Sequence, residues 1–567
     1  MATIVVRQER PSVRIEKVNL TAIAHQRLMI LLLLLVAISM VLMVRLAWMG
    51  VFSGARDSQG ANMGGIPPRA DIVDRNGVPL ARMMDAYAIS VRPDRLISDP
   101  AELARKLNEI FPDTPREEFY KKLTGKGWAY LRQRALPEEV AAVNALGEIG
   151  IEFPREKERF YPQSTLAAHL LGFVPVKNGN AYEGGMGVEA AFNDRLVDPA
   201  RRGEPLVLSV DARVQGALES ELYSAMVDQK AKGATGVVLN ANTGEVIAMA
   251  SFPVFDPNKL GKDADARRNN VVQARYELGS TFKPLSVAAA MDAGAVTSMA
   301  KPYDATAPLQ VGGYKIKDDH PLGRWLNVPE ILIHSSNIGT ARIADAMGSA
   351  QMQKVYRSLE FDRRPSIELK ERFPTLWPRD WGRITNMTVA YGHGIAVTPI
   401  HLASAYAALV NGGIWRPATL LKLNADNVPQ GRRVFSAATS ARMRQLLRLI
   451  VMYGTGKTAN APGYRIGGQT GTAEKPEGGR YAAHANITTF ASAFPMDNPQ
   501  YVVLTMMDEP QGSSKYPGVR TAAYTSAPVV KQVVTRIGPM LGIMPDERRD
   551  VDISELMPLL SQDTGED

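Results

Sequence analysis

Ser280 and Lys283 stand three residues apart in the stretch Tyr276-Glu277-Leu278-Gly279-Ser280-Thr281-Phe282-Lys283-Pro284, the spacing that puts two side chains on one helical face. A serine hydroxyl is a weak nucleophile at neutral pH, and a lysine amine can take its proton once burial or nearby cations lower the ammonium pKa. The apolar run Leu285, Val287, Ala288, Ala289 and Met291 predicts the helix that would hold the pair. Gly279 allows a tight entry, and a helix N-terminus offers backbone N–H groups to developing negative charge. The chemistry implied is nucleophilic catalysis by an activated serine. Ser-x-x-Lys also arises by chance in a chain of 567 residues, so its companions must decide.

Two further groups follow in order, Ser335-Ser336-Asn337 and Gln469-Thr470-Gly471-Thr472. Other chemistries drop out. There is no cysteine, hence no disulfide, thiolate metal site or cysteine nucleophile. The seven histidines are scattered without metal-ligand spacing, so no metal and no cofactor are expected. Gly456-Lys457-Thr458 resembles the end of a phosphate loop, but Val451 stands where its first glycine belongs, so a nucleotide site is discarded. A net charge of +8, spread along the chain, gives no reason to expect nucleic acid.

The positioning elements read as α/β from about Glu204. Residues 205–210 predict a strand and 211–226 a helix capped by Asp211; 236–239 and 245–250 predict paired strands around a turn-rich spacer. Strands over 487–494 and 501–507 and a helix over 522–537 complete an antiparallel sheet flanked by helices. Upstream, residues 28–44 are uncharged and almost wholly apolar, and the run continues past Arg45 to Phe52. That suits one uncleaved membrane span, and the basic residues before it keep the short tail cytoplasmic. Between span and sheet lie an Asn-Gly turn in Pro68 to Ala81 and two clusters, Glu158 to Pro162 and Gly185 to Glu189. Their charges are expected to make structural ion pairs between a pedestal and the next domain. The organisation read is a cytoplasmic tail (1–27), an anchor (28–52), an α+β pedestal (53–205), a catalytic domain (206–540) and an acidic, mobile tail (541–567) without assigned function.

The ordered triple is similar to the Ser-x-x-Lys, Ser-Asp-Asn and Lys-Thr-Gly set of penicillin-binding proteins and class A β-lactamases. With Arg69 to Ala81, Arg159 to Pro162, Gly185 to Glu189 and the single span, the chain resembles the class B penicillin-binding proteins. These are membrane-anchored D,D-transpeptidases that cross-link peptidoglycan. The division-specific (FtsI-type) branch is nearest, on the short tail, the Gly279 to Pro284 surround and Tyr391-Gly392-His393-Gly394-Ile395-Ala396-Val397-Thr398-Pro399. No glycosyltransferase domain is expected before the pedestal.

The resemblance implies a penicillin-binding/β-lactamase-like fold in which Ser280 forms an acyl-enzyme with a stem peptide and β-lactams acylate the same residue. Lys283 would be its base, Ser335 a proton relay, and Asn337 a holder of Lys283 and substrate. Backbone N–H groups of Ser280 and Thr472 would form an oxyanion hole, and the Thr470 and Thr472 hydroxyls would bind the terminal carboxylate. The implied partners are a membrane-embedded glycan polymerase and other divisome proteins; the implied place is the bacterial inner membrane, with the catalytic domain periplasmic at the septum. Gln469 departs from the family's Lys, and Ala70 from a Gly. Gln469 leaves open a working enzyme, a weakened one and a non-catalytic division scaffold. An elongation-specific transpeptidase, and a tethered β-lactamase or β-lactam sensor, are the other readings.

Overall fold

The computed structural model describes residues 20–52, 68–177, 180–181, 184–477 and 480–561. The chain forms two compact units, residues 1–64 and 65–567. In the first, one helix runs Leu20–Phe52, and its large apolar side chains between Leu28 and Met43 are each more than half exposed. Among the described residues no helix is long and apolar enough to cross a membrane. The span expected over 28–52 includes Val44 and residues 46–52, whose side chains lie outside the described set, as do residues 1–19 of the tail and the connector at 53–65.

The second unit begins with a sheet around a long strand, β1 (Pro79–Val91), which pairs antiparallel with β2 (Ala129–Ala135) and β3 (Arg155–Phe160). The Asn-Gly turn forms where the sequence places it. The Asp74 carboxylate accepts from the backbone N–H groups of Asn76 and Val78, both at 2.8 Å, and from that of Ala212 at 3.0 Å. One side chain therefore closes the turn and ties it to the start of α1 (Ala212–Asp228).

The expected strand at 205–210 shrinks to Leu206–Val207. Its backbone N–H groups are shared out: Leu206 donates to Asp71, Leu208 to Val73, Ser209 to Leu420 and Asp211 to Ile247, so no single ladder continues. Beyond it, β4 (Gly233–Asn240), β5 (Val246–Phe252), β6 (Gly467–Glu477), β7 (Arg480–Phe494) and β8 (Tyr501–Asp508) form one antiparallel sheet in the order β5-β4-β8-β7-β6. The final helix, α7 (Ser526–Met540), packs with α1 on one face through Val214, Leu218, Leu222, Val530 and Val533. The other face lies under the helices that carry the candidate site. Burial on both faces explains why β4 and β5 read as continuous apolar runs rather than alternating ones.

Most of the expected ion pairing lies inside the pedestal. Glu189 binds Arg69 at 2.9 Å and Arg159 at 2.6 Å, with all three side chains at most 1% exposed. Arg159 also donates to the carbonyl of Ala70, the residue that departs from Gly, at 2.9 Å. The bridge between pedestal and sheet is Arg75 to Glu245 at 3.5 Å.

The acidic tail is not free through residue 561. Leu556 is 1% exposed, and Val551, Ile553, Leu559 and Leu560 pack on the main core. Asp550 binds Arg448 at 2.8 Å and Glu555 binds Arg442 at 3.0 Å. Net acidity suggested solvation; the interspersed apolar residues and the arginines they meet decide otherwise.

Removing the charge of Glu189 leaves two buried guanidiniums without a counter-ion. Glu189→Gln should destabilise the protein by about 3–5 kcal/mol, read by urea unfolding at neutral pH; an unchanged midpoint would show that the cluster does not hold the pedestal together.

Candidate active site

Gly279–Phe282 forms one turn of 3-10 helix that runs into α2 (Lys283–Asp292). In that geometry residues i and i+3 eclipse, and the Lys283 backbone N–H donates to the Ser280 carbonyl. The stacking expected from the sequence is therefore present, through a tighter helix than supposed. Ser280 is half-buried and Lys283 fully buried.

Two backbone approaches fix the turn. Gly392 has φ +84°, and a Cβ there would lie 2.2 Å from the Gly279 carbonyl oxygen. A Cβ on Gly471 of β6 would lie 2.4 Å from the Leu278 carbonyl oxygen. The Tyr406 hydroxyl, from α5 (Pro399–Val410), donates to the Thr281 carbonyl at 2.9 Å. The turn is thus gripped by bare backbone on two sides and by a buried phenol beneath.

The second wall is α3 (Val328–Ile333), opened by a reciprocal cap between Asn327 and Glu330. It is followed by Ser335 with φ +55° and then α4 (Asn337–Met347). The Ser335 N–H donates to the Leu332 carbonyl at 3.2 Å, while the Asp318 carboxylate accepts from the Ser336 hydroxyl at 2.7 Å and the Ile338 N–H at 2.9 Å. So held, Ser335 receives the Lys283 amine: the amine donates to its hydroxyl at 3.0 Å and, by a very short contact, to its carbonyl oxygen.

Burial is what pushes Lys283 from its ordinary 10.5 down to about 7, with Asp318 and Asp319 pulling partly the other way. A neutral, fully buried amine held beside the Ser335 hydroxyl can accept a proton.

Asn337 lies in this wall but turns away from the amine. Its side-chain N–H donates to the Lys317 carbonyl at 3.0 Å, and among the described residues no hydrogen bond joins it to Lys283. The expectation that it holds Lys283 is not met in this geometry.

The third wall is β6, the edge strand of the sheet. Gln469 is fully buried; its amide donates to the Leu332 carbonyl at 3.3 Å, and its oxygen accepts from the Thr455 hydroxyl at 3.2 Å and the Thr470 N–H at 3.0 Å. The Thr470 and Thr455 hydroxyls meet at 2.8 Å, and the Thr472 hydroxyl accepts from the Ala522 N–H at 3.0 Å. A Cβ on Gly279 would be 3.0 Å from the Thr472 carbonyl oxygen, so the Thr472 backbone runs beside the Ser280 turn. All eight expected residues converge on one site.

Two participants escaped sequence reasoning. Asp318 acts through tertiary hydrogen bonds that no local spacing announces. Thr455 sits beside the discarded phosphate-loop lookalike, a loop placed against the site because the Thr455 N–H donates to Ile333 at 3.3 Å.

Comparison with known proteins gives a consistent picture. Residues 234–534 match the penicillin-binding protein transpeptidase domain and residues 65–204 the penicillin-binding protein dimerisation domain. The chain is 38% identical over 511 residues to a probable peptidoglycan D,D-transpeptidase FtsI of Caulobacter vibrioides, covering 88% of this chain and 85% of the relative. It is 30% identical over 538 residues to the peptidoglycan D,D-transpeptidase FtsI of Escherichia coli K12, covering 88% of each. The crystal structure of penicillin-binding protein 3 of Mycobacterium tuberculosis, complexed with aztreonam, superposes with a TM-score of 0.66 at 25% identity, over 85% of this chain and 98% of that one.

The grip on the Ser280 turn is testable without touching a polar group. Gly392→Ala forces a Cβ into the Gly279 carbonyl and should destabilise the turn by about 2–4 kcal/mol through overpacking and a left-handed backbone. Amide hydrogen exchange across 276–283 should rise; unchanged protection would show that the contact is slack.

Proposed function

The chain belongs to the penicillin-binding protein transpeptidase family, and from that premise we propose that it is the peptidoglycan D,D-transpeptidase of cell division, with Ser280 as its nucleophile. It is a serine acyltransferase of peptidoglycan and is sensitive to β-lactams. The observation that carries the assignment to Ser280 is the fully buried Lys283 amine, one turn away and held by Ser335.

Ser280 Oγ attacks the penultimate D-Ala carbonyl of a stem peptide as Lys283 takes its proton. The tetrahedral oxyanion points at the N–H groups of Ser280 and Thr472, where one donor is typically worth about 3 kcal/mol. Lys283 returns the proton through the Ser335 hydroxyl to the departing D-Ala amine. An amine from a second stem then attacks the ester by the reverse path, which makes the cross-link. The free edge of β6 suits an extended stem peptide added as a further strand, and the Thr470 and Thr472 hydroxyls suit its carboxylate. In this reading Asn337, whose amide nitrogen is bound to the Lys317 carbonyl, meets the peptide's amide through its side-chain oxygen. The helix over 20–52 serves as an inner-membrane anchor in this reading, supported by its apolar run and its upstream positive charge; the catalytic domain is periplasmic at the septum. A membrane-embedded glycan polymerase and other divisome proteins are its partners.

The relatives favour neither the elongation reading nor the non-catalytic scaffold. Gln469 does not empty the site; it fills a pocket of oxygens formed by Leu332, Thr455 and Thr470. That pocket would accept an ammonium, so charge toward the substrate carboxylate is the property lost.

Three outcomes follow. A fluorescent penicillin should label the wild type and not Ser280→Ala; labelling of the mutant overturns the assignment. Gln469→Lys should raise acylation about tenfold, since charged hydrogen bonds are about twice as strong as neutral ones and 1.4 kcal/mol is a factor of ten; no change or a fall would refute the charge argument. Because the amine must be neutral to act and its pKa lies near 7, acylation should rise with pH through neutrality and be about a hundredfold lower at pH 5 than on its plateau. A flat profile from pH 5 to 9 would remove Lys283 from the base's role.

A further inference from the structure

The wall carrying Ser335 and the strand carrying Gln469 face each other across the site. Among the described residues the hydrogen bond that crosses directly from the Gln469 side chain to α3 is the one to the Leu332 carbonyl, neutral and 3.3 Å long. Thr455 bridges Ile333 and Gln469 beside it, and a further connection runs through residues 546–561. Asp550 binds Arg448 of α6 (Ala437–Tyr453) with both carboxylate oxygens, at 2.8 and 3.0 Å. Arg448 is 6% exposed and donates at 3.0 Å to the carbonyl of Ile466, the residue before β6 begins.

At the other end, the Asn327 side-chain N–H donates to the Leu559 carbonyl at 2.5 Å. Arg324 donates to the Ser561 hydroxyl at 2.7 Å, and the Ser561 N–H reaches Glu330 at 3.3 Å. Asn327 and Glu330 are the capping pair of α3. Between the two ends, Leu556 is buried in the main core. One segment therefore reaches the root of β6 through its ion pair with Arg448 of α6, which donates to Ile466, and binds the root of α3 with three hydrogen bonds.

We propose that residues 546–561 form a strap that sets the separation of the two walls, with Asp550 and the 559–561 segment as positioning elements for Ser335 and Gln469 in the acylation step. The proposal rests on the reading of Ser280 as the acylated residue. A short strap segment suffices because both roots are stiff: α3 is fully buried from Val328 to Ile333, and Ile466 is buried. Moving either root shifts the hydroxyl that receives the Lys283 amine relative to the strand beside Ser280. Errors of about 1 Å in such placements reduce rates about a hundredfold.

The chemistry of Asn327 permits a clean cut. Its oxygen caps α3 through the Glu330 N–H at 3.0 Å, whereas its nitrogen serves the strap. Asn327→Asp keeps the cap, for which Asp and Asn are equivalent, and sets a carboxylate against the Leu559 carbonyl. Asp550→Asn weakens the other end while Arg448 keeps its bonds to Ile466 and Asn460.

In the full chain in detergent, the Asn327→Asp/Asp550→Asn pair should lower the rate of labelling by fluorescent penicillin about tenfold, with complete labelling at long times and amide exchange rising over 546–561 but not over 276–283. Leu556→Asp, which removes the buried anchor, should release the same segment and have the same effect. Wild-type labelling rates in a variant whose 546–561 segment exchanges freely would overturn the proposal, as would slowed labelling with that segment still protected. If the wild type itself fails to label at Ser280, the assignment of the nucleophile falls instead.

Discussion

The burial of one amine sets the terms for the rest of the site. Lys283 loses its water entirely, and the partners it gains are the carbonyl and hydroxyl of Ser335 rather than a carboxylate in direct contact. An ammonium in that position is poorly compensated, so the neutral form is favoured down to about pH 7. Asp318 is near enough to oppose this, but its oxygens are engaged by Ser336 and Ile338. The same carboxylate thereby moderates the shift and holds the turn that presents Ser335. Everything around the pair serves to keep water out and geometry fixed: bare backbone at Gly392 and Gly471, the Tyr406 hydroxyl below, and a two-sided sheet behind.

Gln469 makes sense in this frame. In the family a lysine stands there, a second cation near the first. With a buried amide in its place, the depressed pKa of Lys283 is owed to desolvation, and β6 carries no cation at that position. The residue remains a spacer between β6 and α3 through its contacts with Leu332, Thr455 and Thr470. A neutral spacer leaves the Ser280, Lys283 and Ser335 cluster assembled while removing a positive charge from the strand beside it.

Much of this was legible in the chain itself. Ser280, Lys283, Ser335, Gln469 and their neighbours converge as their order suggested, because the spacing within each short motif encodes local geometry: an eclipsed turn for the first, a helix N-terminus for the second, an edge strand for the third. The sheet was visible in the apolar runs, since strands buried on both faces carry no alternation to confuse them with surface ribbons. What was not legible depended on contacts distant in sequence. The strand at 205–210 shrank to Leu206–Val207 because its N–H groups are divided, those of Leu206 and Leu208 going to residues 71–73 and that of Ser209 to Leu420. Asn337 turned to Lys317, and the acidic tail docked through five apolar residues whose spacing fits no helix or strand period. Asp318 and Thr455 had no local signature, since their partners lie in other elements of the fold.

Activation of Ser280 by this route depends on the protonation state of one residue. A direct titration of Lys283 by NMR, with its side-chain amine labelled and assigned by loss of the signal in Lys283→Arg, measures it without reference to any substrate. A base that is neutral near physiological pH requires a midpoint near pH 7, well below the ordinary 10.5. A midpoint near the ordinary 10.5 would mean that the amine is charged at neutral pH and that Ser280 is activated by some other group.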